Sequence, residues 1–215
     1  MLETKKYVLT VEGETEQLYF LWLRDKINEI DSRKYNVSII PKVQQSPRSF
    51  YKGTNIKTTP EAFHICDVES TSKEHIDKFE NILKEMSEAK KQKNIRYYLG
   101  YSNFTFELWI ILHKKDCFGA LTDRKQYLSF IQQCFDEKFI SLEQYKSEQS
   151  FKRCLTKLTI NDVKSAIKRA EKITNQNAKD NKQLIKYSGY TYYRDNPSLS
   201  IYEVVKKILA DTGIL

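Results

Sequence analysis

Short apolar runs rich in β-branched and aromatic residues alternate with longer amphipathic stretches through the first half of the chain. The runs fall at residues 7–11, 36–40, 62–67 and 94–101. Helical patterns occupy 14–30 and 73–91, the second with Ile76, Phe79, Ile82, Leu83 and Met86 on one stripe. Strand, helix, strand, strand, helix, strand is an order that few folds accommodate. Parallel strands need long crossovers, which are usually helices, so the pattern predicts an α/β unit with a mainly parallel sheet. Ser102-Asn103 then reads as a turn, and residues 104–113 as a buried helix that is apolar apart from Glu107 and its end. This core is expected to span residues 1–115.

Beyond it the character changes. Residues 116–176 show helical patterns at 125–135, 141–151 and 160–174 and no alternation of a strand, a polar loop is expected at 175–181, and the part as a whole is expected to span 116–185. We read this part as a helical insertion or subdomain. Residues 186–215 carry Tyr187, Tyr190, Tyr192 and Tyr193 between Lys186 and Arg194. Asn196-Pro197-Ser198 then suits the cap of a last helix at 200–211, packing back on the core.

Residues 42–60 form the longest stretch without a pattern. They include Lys42, Arg48, Lys52 and Lys57, no acid, and Phe50 and Tyr51 among the bases. Loops of such length are usually functional or disordered. Bases interleaved with aromatics suit phosphate contacts and base stacking. The excess of 36 basic over 28 acidic residues, a net charge of +8, points the same way, to a polyanionic partner.

Cys66, Cys117, Cys134 and Cys154 lie far apart, with neither zinc spacing nor a disulfide framework. A reducing cytoplasm is the expected home. Residues 1–6 run straight into a strand and lack signal-peptide shape, and the longest apolar run, 108–112, is far too short to span a bilayer. No Gly-rich loop leads into Lys-Ser or Lys-Thr, which excludes a P-loop. Ser102 has no His/Asp partner order for nucleophilic catalysis.

The acids carry the chemistry. Glu12 follows the first strand, and Asp67 and Glu69 close the third. In a parallel sheet both sets meet at the carboxyl edge, where ligands bind. Gathered carboxylates repel unless a cation neutralises them, and an all-oxygen set suits Mg²⁺ or Mn²⁺. Glu16, one helical turn on, fits a general base or a metal contact through water. Glu107 on its apolar helix is either a site residue or the partner of a buried base. His64 and His113 read as packed histidines.

Four stretches together resemble the RloB-like family of bacterial phage-defence proteins. They are VEGETEQLYF at 11–20, CDVES at 66–70, SNFTFELWIILH at 102–113 and RDNPS at 194–198. The second matches an acidic Asp-x-Asp motif, with Glu69 in place of its second Asp. The resemblance implies a TOPRIM-like, Rossmann-like core, a divalent metal and phosphodiester chemistry. It also implies a role in defence or abortive infection, with an ATPase partner of the ABC or AAA kind. Carried over by motif, Glu12 takes the acid/base or metal position, Asp67 and Glu69 the metal pair, and Glu107 the third-motif glutamate.

The expectation is therefore a Mg²⁺- or Mn²⁺-dependent nuclease acting on DNA or RNA. Glu12, Asp67 and Glu69 hold the metal, and Glu16 and Glu107 complete the catalytic set. Lys42, Arg48, Lys52, Lys57, Asn103 and Arg194 hold the nucleic acid. A nucleotidyl or phosphoryl transferase acting on a nucleotide or tRNA is the alternative enzyme. A non-catalytic subunit docked on an ATPase is the alternative from another class. A homo-oligomer stays open, and no membrane contact is expected.

Overall fold

The computed structural model describes residues 2–53, 61–118, 121 and 123–215. Its centre is a four-stranded, all-parallel sheet in the order β2-β1-β3-β4. The strands are β1 (Thr4–Val11), β2 (Asn36–Val43), β3 (Glu61–Val68) and β4 (Arg96–Asn103). Helix α1 (Glu14–Asn28) links β1 to β2, the short α2 (Pro47–Lys52) follows β2, and α3 (Lys73–Lys93) links β3 to β4. This is a Rossmann-like arrangement flanked by helices.

Alternation along the strands sorts the two faces. Tyr7, Leu9 and Val11 of β1, with Phe63 and Ile65 of β3, face one core, shared with Tyr19, Phe20 and Leu23 of α1. Val8, Ala62, Cys66 and Val68 face the other, against Ile76, Phe79, Leu83 and Met86 of α3. Strands buried on both faces read as near-continuous apolar runs, which is why they stand out in the sequence. Gly100 of β4 is dictated by close approach. A Cβ there would lie 2.6 Å from Ile65 Cδ1 and 3.3 Å from Ile201 Cα.

Chain order places the reversal of direction between β1 and β3. From β1 the chain steps outward to β2, then crosses back over β1 to reach β3. The carboxyl ends of β1 and β3 therefore flank the switch point, where such sheets form their ligand crevice.

After β4 comes α4 (Glu107–Leu112), whose six residues are all buried. Four helices follow: α5 (Tyr127–Phe135), α6 (Leu142–Lys146), α7 (Glu148–Thr156) and α8 (Ile160–Lys179). Their apolar faces, including Tyr127, Tyr145, Phe151 and Ala170, belong to the same core as β1 and α1. A hairpin, β5 (Leu184–Tyr187) and β6 (Tyr190–Tyr193), lies over α3, and α9 (Ile201–Asp211) packs on β4. Among the described residues, no helix is long and apolar enough to cross a membrane.

Several local expectations are corrected. Residues 42–60 are not one irregular loop: Lys42 and Val43 end β2, and residues 47–52 are helical. Ser46 caps α2 by accepting from the Ser49 amide, with Pro47 in the first turn. Ser102 and Asn103 are not a turn; they extend β4, in register with Asp67 and Val68. The chain turns one residue later, at Phe104, whose φ of 64° is left-handed. Residues 175–179, expected as loop, continue α8. The last helix is preceded by Ser200, which makes no side-chain cap bond, so Asn196-Pro197-Ser198 is not its cap.

Candidate active site

The sequence VEGE bends from strand into helix with Glu12 and Gly13 between β1 and α1. Gly13 has φ −143° and ψ 177°, extended values open to any residue. Its small size matters for another reason: a Cβ there would stand 3.0 Å from Glu16 Oε2. Glycine lets the Glu16 carboxylate fold back over the turn.

Glu12 reaches across the switch point, where its Oε2 accepts from the backbone N–H of Asp67 at 3.1 Å. Asp67 is the penultimate residue of β3, so its carboxylate leaves the sheet edge next to Glu12. Glu107 opens α4 and is fully buried, at 0% exposure. The left-handed turn at Phe104 swings it there, fixed by the Phe104 amide donating to Val68 O at 2.7 Å. The Thr105 hydroxyl donates to Glu107 Oε2. Lys146, the last residue of α6, places its Nζ 3.2 Å from the same oxygen.

Glu12, Glu16 and Asp67 behave as one electrostatic group with Glu107 beside them. Burial pushes Glu16 up to about 7, with Glu107 and Glu12 adding to it. Asp67 is held well above the carboxylate range by burial and then by Glu16, Glu12 and Glu107. Glu12 is raised by burial, against the Asp67 amide and Lys78, which act the other way. Burial pulls the Lys146 ammonium down, but Glu107, Asp67 and Glu16 outweigh it, so its pKa rises. Glu16 Oε2 and Glu107 Oε1 are buried acceptors without a hydrogen-bond partner among the described residues. Buried oxygens in that state are costly and await a donor or a cation.

These groups open on a pocket of about 360 Å³ lined by Glu12, Gly13, Glu14, Thr15, Glu16, Asp67, Glu69, Arg124 and Lys146. Glu69 stands at its rim. Its carboxylate is bound by Lys78 Nζ at 2.8 Å, with His75 Nε2 at 3.6 Å, and the Lys78 bond holds its pKa below the usual range. Among the described residues, no three His, Cys, Asp or Glu side chains stand ready around a common metal position. The donor chemistry suits a hard divalent ion, since all the acceptors are carboxylate oxygens and two of them are orphaned. Glu12 and Asp67, with Glu16, are the residues that fit it; Glu69 is already engaged by α3.

The comparison with protein families decides the kinship of the chain. The family described as RloB-like protein matches residues 7–208. The chain belongs to the RloB-like protein family. Neither the curated proteins nor the solved structures gave a match.

In this RloB-like chain the motif residues divide between two tasks. Glu12, Glu16 and Asp67 line the pocket, and Glu107 is buried behind it against Lys146. Asn103 does not face a nucleic acid. It is 1% exposed, and its Nδ2 donates to the carbonyls of Tyr193, Arg194 and Asp195 at 3.0 to 3.1 Å. The Asn103 amide also donates to Ser198 O, and Ser200 N to Tyr101 O, both at 2.8 Å. The SN and NPS motifs are therefore two halves of a clasp on the free edge of β4. Asn196 extends the clasp to Leu121 O and the Tyr127 hydroxyl of α5, and Asn177 of α8 donates to Pro197 O.

The basic residues expected at a nucleic acid are dispersed. Arg48 is tied to Glu88 of α3 at 2.7 Å and Arg194 to Glu80 at 3.7 Å. Lys42 and Lys52 are exposed at the end of β2 and of α2, away from the pocket lining. Lys57 lies outside the described residues. Phe50 and Tyr51, expected to stack on bases, are buried at 8% and 0% against α3 and its neighbours. His64 bonds Thr10 Oγ1, and His113 bonds the Tyr19 hydroxyl and Trp109 O, so both are packed core histidines.

Lys146 and Arg124 were not legible beforehand. They sit on α6 and on the 3₁₀ turn Arg124–Gln126 and enter the site only because the helical region folds over the sheet edge. A single lysine or arginine among 36 basic residues carries no local mark of such a role.

Proposed function

We propose that this RloB-like chain is a divalent-metal-dependent nuclease hydrolysing phosphodiester bonds of DNA or RNA. The observation that carries the reading is the convergence of Glu12, Glu16, Asp67 and Glu107 at the β1/β3 switch point, with the half-buried Lys146 as their counter-charge. Mg²⁺ or Mn²⁺ would be held by Glu12 and Asp67, which leaves Glu16 for proton transfer. Once bound, such an ion polarises a phosphoryl oxygen and lowers the pKa of a bound water.

The remaining chemistry belongs to the chain itself. Glu16, at about 7, is matched to accept a proton from an attacking water near neutral pH. Lys146 Nζ and the Arg124 guanidinium, both lining the pocket, offset negative charge that builds on the phosphate. Glu107 and Thr105 hold Lys146 and the turn in place rather than meeting substrate. A TOPRIM-like core, a role in phage defence and an ATPase partner follow from the family resemblance and complete the proposal.

The test is cleavage of labelled DNA and RNA by the purified chain with Mg²⁺ or Mn²⁺. Glu12→Gln and Asp67→Asn should each lower the rate about 100-fold or more, of the order seen when a group acting on the transition state is lost. Their melting temperatures should not fall. Full activity in both variants would refute the site. A wild-type chain that binds nucleic acid but never turns over with metal would instead be a binding subunit.

A further inference from the structure

We infer that the outward face of α8 is a docking track for the phosphate backbone of a nucleic acid, an inference that rests on the nuclease reading above. Lys164, Lys168, Lys172 and Lys179 follow one another at spacings of four, four and seven residues. At 100° per residue they fall within a sector of roughly 80°, and at 1.5 Å per residue they span about 22 Å. Asn161 and Asn175 share the sector, and no acid does.

The pairing pattern sets this face apart from an ordinary solvated one. The acids of α8 are already matched: Asp162 with Lys114 at 3.1 Å and Glu171 with Lys206 at 2.6 Å. Arg169 is spent on Asp116 and on the carbonyls of Leu112 and His113. The four lysines have no ion-pair or hydrogen-bond partner among the described residues, and Lys168, Lys172 and Lys179 are exposed. Elsewhere the same helix is anchored, with Val163, Ala166, Ile167, Ala170, Ile173 and Asn177 buried. The stripe is therefore rigid, unlike charges on a loop.

The C-terminal end of α8 is also held, on the buried face opposite the lysines, by Asn177 donating to Pro197 O at 2.9 Å. A rigid row of like charges is complementary to a polyphosphate, which presents about one charge per 1.7 Å of duplex axis. Each lysine set on a phosphate releases a counterion, so the track has a thermodynamic signature.

The test compares Lys164→Gln/Lys168→Gln/Lys172→Gln/Lys179→Gln with a control that removes the same charge elsewhere, Lys6→Gln/Lys84→Gln/Lys91→Gln/Lys138→Gln. Binding of a single-stranded DNA, a duplex and an RNA of one sequence is measured from about 50 to 200 mM salt. The stripe variant should lose about three units of the log Kd against log salt slope and at least tenfold in affinity, with the control nearly unchanged. Both proteins should melt like wild type. Equal losses in both variants, or no loss in the stripe variant, overturn the track and leave the nuclease reading standing. Failure of the wild-type chain to bind any of the probes overturns the track and the nuclease reading together.

Discussion

Gly13 shows how much one side chain can decide here. Its backbone dihedrals tolerate any residue, yet a methyl group would press on Glu16 Oε2 at 3.0 Å. Gly13→Ala should therefore displace the carboxylate and lower turnover by about tenfold, while the melting temperature moves little. A glycine needed for its φ would show the reverse, a large loss of stability. Glu16 makes a second case. Its carboxyl stands at about 7 against an ordinary 4.5, a difference of about 3 kcal/mol in favour of the protonated form. Glu16→Gln should stabilise the metal-free protein at pH 8, raising its melting temperature by roughly 6–12 °C. Millimolar Mg²⁺ should raise the melting temperature of wild type more than that of Asp67→Asn, because only binding to the folded state adds stability.

At the scale of elements, the free edge of β4 is the exposed liability of the sheet, and the segment 194–200 covers it. The clasp hinges on Asn103, whose one amide group serves three carbonyls. Asn103→Ala should cost about 1–3 kcal/mol, because it strands buried acceptors, and should be visible as a lower denaturation midpoint. Nucleic-acid affinity should hold, in contrast to a contact residue. This role was hidden in the sequence because its partners lie about ninety residues away. Ser102-Asn103 resembled a turn on composition, whereas hydrogen bonding to β3 and to the clasp keeps both residues in the strand. Residues 47–52 were equally masked. Ser46 and Pro47 are start signals for a helix, but the helix is short, and its Phe50 and Tyr51 take their meaning from the core they fill.

For the whole molecule, pH acts through groups of opposite sign. Burial holds His64 at about 3 and His113 at about 4, below the ordinary 6.5. The unfolded chain binds those protons more readily, so stability falls as pH drops below about 6.5 and continues to fall through about 4. Glu16 works in reverse: the folded chain keeps its proton longer, so stability declines as pH rises from 4.5 through about 7. Stability measured across pH should peak between these limits. Glu16→Gln should make the alkaline decline shallower, with Asp67 and Glu12 supplying the remainder, and leave the acid side in place.

Read by itself, the sequence determined the elements that local pattern encodes. Short apolar runs and period-3.6 hydrophobicity marked the four parallel strands and their helices, because strands buried on both faces and amphipathic helices write their surroundings into nearby residues. It also placed Glu12 and Asp67 at strand ends, and the parallel order brings those ends together. Tertiary structure alone decided which charges share the site. Glu69 was drawn off to Lys78, Lys146 and Arg124 came in from the helical region, and Asn103 turned to the clasp. Such choices depend on distances between segments far apart in the chain, and no spacing along one segment records them.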